Sequence, residues 1–253
     1  MTYATEAEMV ADWLAQLKAS GAGKRWTVYA ETCGWDLLLV HADGFQVGIE
    51  AKLSLNAKVL EQALSGADNY WRADGPDYRA VLVPEGKCQL HLTKIAGALG
   101  IQILTVTPLE RGIIRGMGLP DESWCSRWAN WLPAQRCKLP DYVPDVEGGH
   151  SAPVMLTEWK IRAIRLMIVL ERRGYVTRAD MKSLQISPTR WCDSWHGFLA
   201  RTPAGYVRCN RTPDLKAQHP INWAQIEADI ADWSKDLAPL TPAPSADLFG
   251  DVA

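Results

Sequence analysis

The chain has 253 residues, a length that suits one large domain or two small ones. With 47% hydrophobic and 22% charged residues it is neither a disordered, a collagenous nor a coiled-coil sequence, and no apolar run approaches the ~20 residues of a bilayer span. The formal net charge of −2 is unevenly spread: residues 1–110 carry net −4, residues 111–150 are neutral, residues 151–223 carry net +7 and residues 224–253 carry net −5. A basic block between acidic ones predicts a polyanion-binding module.

The N-terminus, MTYATEAEMV, has acids where a secretory signal would have a basic region and an apolar core, which predicts a cytoplasmic protein. Residues 5–19 read as a helix: Thr5 and Glu8 are spaced as a capping box, and Met9, Val10, Trp13, Leu14 and Leu17 recur at helical period. Strand-like runs follow at 26–31, 35–41 and 45–53, the last two joined by Ala42-Asp43-Gly44, a hairpin signal. A helix is expected over 55–70, a strand over 78–84, a short helix near 91–99 and a strand over 101–106. The order α-β-β-β-α-β-α-β predicts an α/β (α+β) domain, a mixed sheet flanked by helices.

Residues 107–153 are rich in Pro, Gly and Trp and read as a packed linker with one short helix around 121–131. Thr157 then opens a helix that Gly174 stops, and Thr177 with Asp180 forms a second capping box for a helix over 178–184. Ser187-Pro188 starts a third helix, 188–197, and 198–202 and 205–209 are two short strands. Three helices and a hairpin predict a small winged helix-turn-helix with 188–197 as recognition helix. Trp223, Ile226, Ile230, Trp233 and Leu237 mark a last amphipathic helix, and the Pro-rich tail from 238 is expected to be disordered. The predicted domains are therefore 1–110 and 154–237, joined by 111–153. The six cysteines contain no C-x-x-C pair, which predicts reduced thiols.

The chemistry centres on Asp36 in one strand and Glu50-Ala51-Lys52 in the next. Glu50 and Lys52, two apart, share a strand face, and the hairpin can bring Asp36 beside Glu50 at a sheet end. Two close carboxylates repel unless a cation lies between them, and oxygen ligands suit Mg²⁺ or Mn²⁺. A lysine beside such a metal can orient water or neutralise charge developing on a phosphate. The competing reading makes Asp36 and Glu50 exposed strand-end acids with Lys52 as ion-pair partner. Glu31, five residues before Asp36 across a turn, is a further acid that can approach. Cys192 and His196 are four apart on a helix but have no second pair, so they read as packing.

Asp36, thirteen intervening residues and Glu50-Ala51-Lys52, set in this order of elements, resemble the PD-(D/E)XK nuclease superfamily. The resemblance covers roughly residues 5–106 and implies a metal-dependent phosphodiesterase core, with Asp36 and Glu50 holding Mg²⁺ or Mn²⁺ and Lys52 as catalytic lysine. The family's helix glutamate falls on Glu6 and its glutamine on Gln62. Trp35 stands where the family's name-giving proline would be.

In the basic block, Arg190, Trp191, Ser194 and Trp195 lie on the expected recognition helix, and Arg201, Arg208 and Arg211 lie on or beside the wing, where they suit phosphates. DNA is therefore the expected partner; the alternatives are a non-catalytic DNA-binding regulator on a degenerate nuclease fold and a protein-binding adaptor or inhibitor. Ser245-Ala246-Asp247-Leu248-Phe249, after a Pro-rich spacer, resembles in part the peptide that bacterial replication proteins insert into the sliding clamp, with Leu248 and Phe249 as apolar anchors and Ser245 in place of the glutamine.

Overall fold

Thr5 caps the first helix, α1 (Glu6–Ala19), by accepting the Glu8 N–H at 3.1 Å. The Glu8 carboxylate accepts from the Ala4 N–H (2.9 Å), so the expected box closes one residue early. Met9, Val10, Trp13 and Leu17 form the buried stripe of α1. The computed structural model describes residues 3–64, 74–108, 117–121, 128–145, 156–193 and 195–240. By internal contacts the chain divides into two units, 1–156 and 157–253.

In the first unit a short 3₁₀ turn leads into β1 (Trp26–Thr32), β2 (Trp35–His41), β3 (Gln46–Ala51), α2 (Ala57–Ala63), β4 (Tyr78–Pro84), α3 (Leu90–Ala98) and β5 (Ile101–Val106). The five strands lie side by side in chain order. The hairpins make β1–β2–β3 antiparallel, whereas the returns through α2 and α3 make β3–β4–β5 parallel. Leu37, Leu39, Val47 and Ile49 pack toward the α1 side, and Leu38, Val81 and Val83 join Val59, Leu60 and Ala63 of α2 and Ala96 of α3 in a second core. Because both faces are covered, β3 is buried at every position. It stops at Ala51, short of the expected 53; the Lys52 N–H still bonds the Leu82 carbonyl (2.9 Å). The α2 helix starts at its Asn56 cap rather than at 55, and residues 65–70 of the expected helix lie outside the described residues.

The described parts of the segment expected to link two domains, 117–121 and 128–145, pack along the first unit. Met117 and Leu119 enter the α1-side core. Asp121 pairs with Arg25 (2.6 Å) and accepts the Trp26 indole N–H (3.1 Å). Arg136 pairs with Asp77 (2.8 Å), and the buried Arg79 guanidinium lies 4.2 Å from the Trp131 ring centre. Residues 128–131 are not helical, contrary to expectation, and 122–127 lie outside the described residues.

In the second unit, α4 (Glu158–Arg173) runs from its Thr157 cap to Gly174, whose φ of 87° only glycine adopts without strain. The Thr177–Asp180 capping box opens α5 (Arg178–Ser183). Next come α6 (Thr189–Cys192), a hairpin of β6 (Leu199–Thr202) and β7 (Gly205–Arg208), then α7 (Leu215–Gln218), α8 (Pro220–Ala228) and α9 (Ile230–Trp233). Two expectations need correction. The helix expected over 188–197 is a single turn, because the Asp193 carboxylate takes the Trp195 and His196 N–H groups (2.8 and 2.6 Å) that would otherwise continue the ladder. The single helix expected over 223–237 starts earlier, at Pro220, and breaks at Asp229; the Trp233 indole instead satisfies the Ile226 carbonyl near the end of α8 (2.7 Å). No helix of the described residues is long and apolar enough to cross a membrane.

Candidate functional site

The β2–β3 register sets Leu37 against Ile49, so Asp36 and Glu50 are the next residues to face each other at the end of the ladder. Asp36 is held there by its Oδ2, which accepts the Ala51 N–H at 2.7 Å. Glu50 is only 5% exposed. Lys52, just beyond the strand, brings its Nζ 2.9 Å from Glu6 Oε1 and 3.1 Å from Glu6 Oε2, on the first turn of α1. Asp36, Glu50, Lys52 and Glu6 thus converge from α1, β2 and β3. Gln62 does not join them: it is exposed on α2, and no hydrogen bond or ion pair among the described residues ties it to the group. Glu31, the last residue but one of β1, has φ of 49°, and its charge reaches Glu50.

Burial pushes the Asp36 carboxyl above its ordinary value; the Ala51 N–H opposes this, Glu6 adds to it and Lys52 opposes it. Glu50 is pushed further, to about 8, by burial first and then by Asp36, with Glu31 and Glu6 adding and Lys52 opposing. The lysine is outweighed: with its partner Glu6 about a third exposed, its charge is largely screened. A buried carboxylate facing a second one, with its nearest cation committed to a third, is an electrostatic arrangement that a divalent cation would relieve. Among the described residues no group of three or more His, Cys, Asp or Glu side chains is arranged to hold a metal ion. Asp36 and Glu50 offer carboxylate oxygens, the ligand type that suits Mg²⁺ or Mn²⁺, ions that keep several waters.

In the second unit the expected DNA contacts separate. Trp191 is fully buried, edge-on to Phe198 (centroids 5.4 Å) and tilted against Trp159 (6.1 Å), so it is a core residue and not a contact. Its neighbour Trp195 is 81% exposed. Arg190 is exposed, with its guanidinium 5.8 Å from the Phe198 ring centre. Arg201, Arg208 and Arg211 are exposed, and Arg211 Nε donates to the Gly197 carbonyl (2.8 Å). Ser194 lies outside the described residues, as do Leu248 and Phe249. A cleft of about 380 Å³ lies between the start of α5 and the β6–β7 turn, lined by Thr177, Arg178, Arg201, Thr202 and Tyr206 among others. Arg178, whose Nε donates to the Tyr206 hydroxyl (3.2 Å), was not singled out from sequence; its only signal is its position directly after a capping residue.

Compared with protein-family models, with curated proteins and with solved structures, the chain matches none.

Proposed function

We propose that the protein is a metal-dependent DNA nuclease of PD-(D/E)XK type, with a basic, winged-helix-like second unit that holds the duplex. The observation that carries this reading is the register that sets Asp36 opposite the buried Glu50 just past the last ladder pair, with Lys52 two residues further on. Further support is the element order α1-β1-β2-β3-α2-β4 on which the resemblance rests, and the exposed Arg190, Arg201, Arg208 and Arg211 around a two-stranded hairpin.

Asp36 and Glu50 would hold the cation, Mg²⁺ or Mn²⁺, which supplies Lewis-acid polarisation of the scissile phosphate. Asp36 keeps Oδ1 available, because Oδ2 is fixed by the Ala51 N–H. Lys52 Nζ, steadied by Glu6, would orient the attacking water and meet the negative charge that grows on the phosphoryl oxygens. The unit that carries these acids is itself acidic, so affinity for DNA comes chiefly from the arginines of the second unit.

The test is cleavage of duplex, single-stranded and branched DNA by the full-length protein with Mg²⁺ or Mn²⁺. Wild type should cleave, Glu50→Gln and Asp36→Ala should not, and Lys52→Ala should lose about 10²–10³-fold in turnover while keeping DNA binding. Equal cleavage by wild type and Glu50→Gln would show the site to be misassigned. Salt-sensitive binding without cleavage would leave a DNA-binding protein on a retired nuclease fold.

A further inference from the structure

Thr32 and Trp35 face each other across the β1–β2 ladder, leaving Cys33 and Gly34 as a two-residue turn with φ of 55° and 85°. Two positive φ values mark the type I′ turn, whose usual first residue is Asn, Asp or Gly. Cysteine bears backbone strain there that those residues avoid. From the other end of the first unit, Cys137 is brought to the same turn. The Gln46 carboxamide clamps its backbone on both sides, donating to the Cys137 carbonyl (2.9 Å) and accepting the Cys137 N–H (2.9 Å). Cys33 Sγ lies 3.2 Å from the carbonyl of Lys138, the next residue, and the Cys33 and Cys137 thiols act on each other's ionisation. Cys33 is exposed and Cys137 half-buried, so peroxide reaches Cys33 more readily than Cys137.

We propose that Cys33 and Cys137 are a peroxide-oxidisable dithiol that closes reversibly to a disulfide. In the first step the Cys33 thiolate attacks an oxygen of hydrogen peroxide: the S–O bond forms, the O–O bond breaks, and the departing hydroxide takes a proton to leave as water. Cys33 is then a sulfenic acid. In the second step the Cys137 sulphur gives up its proton and attacks the Cys33 sulphur; the S–S bond forms, the S–O bond breaks, and the hydroxyl leaves with that proton as a second water. Two thiols and one peroxide become one disulfide and two waters.

The electrostatics support this division of roles. The hydrogen bond from Cys137 lowers the Cys33 thiol to about 7 against the opposing effect of burial, and the same bond, with burial, pushes the Cys137 thiol up. The Arg79 guanidinium favours the ionised form of Cys137, the form needed in the second step. Exposure of Cys33 leaves the disulfide open to thiol reductants, the property of a labile rather than a structural bridge. The inference stands independently of the nuclease reading. Closure would fasten the turn that precedes Asp36 by three residues to the segment packed along the sheet.

The test is treatment of the reduced full-length protein with equimolar hydrogen peroxide, alkylation of the remaining thiols and peptide mapping by mass spectrometry. The expected result is one cross-linked peptide pair, Cys33 to Cys137, abolished by dithiothreitol, with the other four of the six cysteines alkylated. Cys137→Ser should leave Cys33 as a trapped sulfenic acid reactive with dimedone, and Cys33→Ser should leave Cys137 alkylated. Alkylation of both cysteines in treated wild type, or a bridge from Cys33 to any other cysteine, overturns the proposal, and wild-type mapping alone decides this if either variant fails to fold.

Discussion

A proton on Glu50 is worth more to the folded chain than to the unfolded one. Its folded pKa of about 8 lies above the ordinary 4.5, so between these values the folded protein keeps a proton that the unfolded chain has lost. Stability therefore falls as pH rises through that window, at up to about 1.4 kcal/mol per pH unit, and the full penalty is present above it. Glu50→Gln should remove most of this slope and raise the melting temperature at about pH 8, as differential scanning calorimetry across pH would record. Added Mg²⁺ should raise the melting temperature of wild type there and leave Glu50→Gln unmoved. By contrast the Lys52–Glu6 pair, partly exposed, is worth only about 0–1 kcal/mol to stability. Trp35, the departure from the family pattern, has a packing role: its ring covers Gly48, where an added Cβ would fall 2.4 Å from a ring carbon. Gly48→Ala should cost about 1–3 kcal/mol by chemical denaturation, since ring and strand must part. Asp36, Glu50 and Lys52 were legible because strand alternation and a D-G hairpin fix register. Gln62 was not, because the short α2 helix leaves its rotation about its axis open to tertiary packing. The Cys33–Cys137 contact carries no local sequence spacing at all.

At the scale of elements, the helices that carry a cap and a stop in the sequence are the ones that match expectation. Thr157 to Gly174 bounds α4, and the Thr177–Asp180 box opens α5. The same Asp180 carboxylate also pairs with the buried Arg173 at the end of α4, so one side chain fastens two helices. Asp180→Ala should strand that guanidinium and destabilise the second unit by about 3–5 kcal/mol, seen as loss of its cooperative transition in urea. Elements misread from sequence failed for identifiable reasons. The expected helices ran on past Cys192 and Asp229, but side-chain bonds from Asp193 and Trp233 ended or broke them there. Four residues apart, Trp191 and Trp195 would share a face of a longer helix; Trp159 of α4 and Phe198 decide that Trp191 is inside.

Over the whole molecule, charge is divided between the acidic sheet unit and the basic stretch 151–223, which carries net +7. If that stretch grips phosphates, log affinity for duplex DNA should fall linearly with log salt. Arg201→Gln and Arg178→Gln, both lining the cleft, should each weaken binding to all sequences alike and lower the salt slope by about 1. Arg190→Ala should cost about 1–3 kcal/mol if it reads a base edge. Fluorescence anisotropy titrations at several salt concentrations measure all three; unchanged slopes would move the DNA elsewhere. Fold class could be read because strand and helix signals alternate clearly up to residue 106. The way residues 117–121 and 128–145 pack could not, because it is held by single long-range bonds such as Arg136–Asp77 that leave no period in the sequence.

The chain-order sheet also has a kinetic meaning. Turns of two and four residues join β1 to β2 and β2 to β3, whereas 26 residues separate β3 from β4. Closing short loops costs little entropy, so the three-strand meander is the part that can nucleate folding, and the parallel strands add to it later. Asp36 and Glu50 therefore meet across the meander before β4 shields them. Their repulsion belongs to the barrier as well as to the final state. We expect stopped-flow refolding to quicken as pH falls from about 8 to about 6, and Glu50→Gln to refold fast across that range.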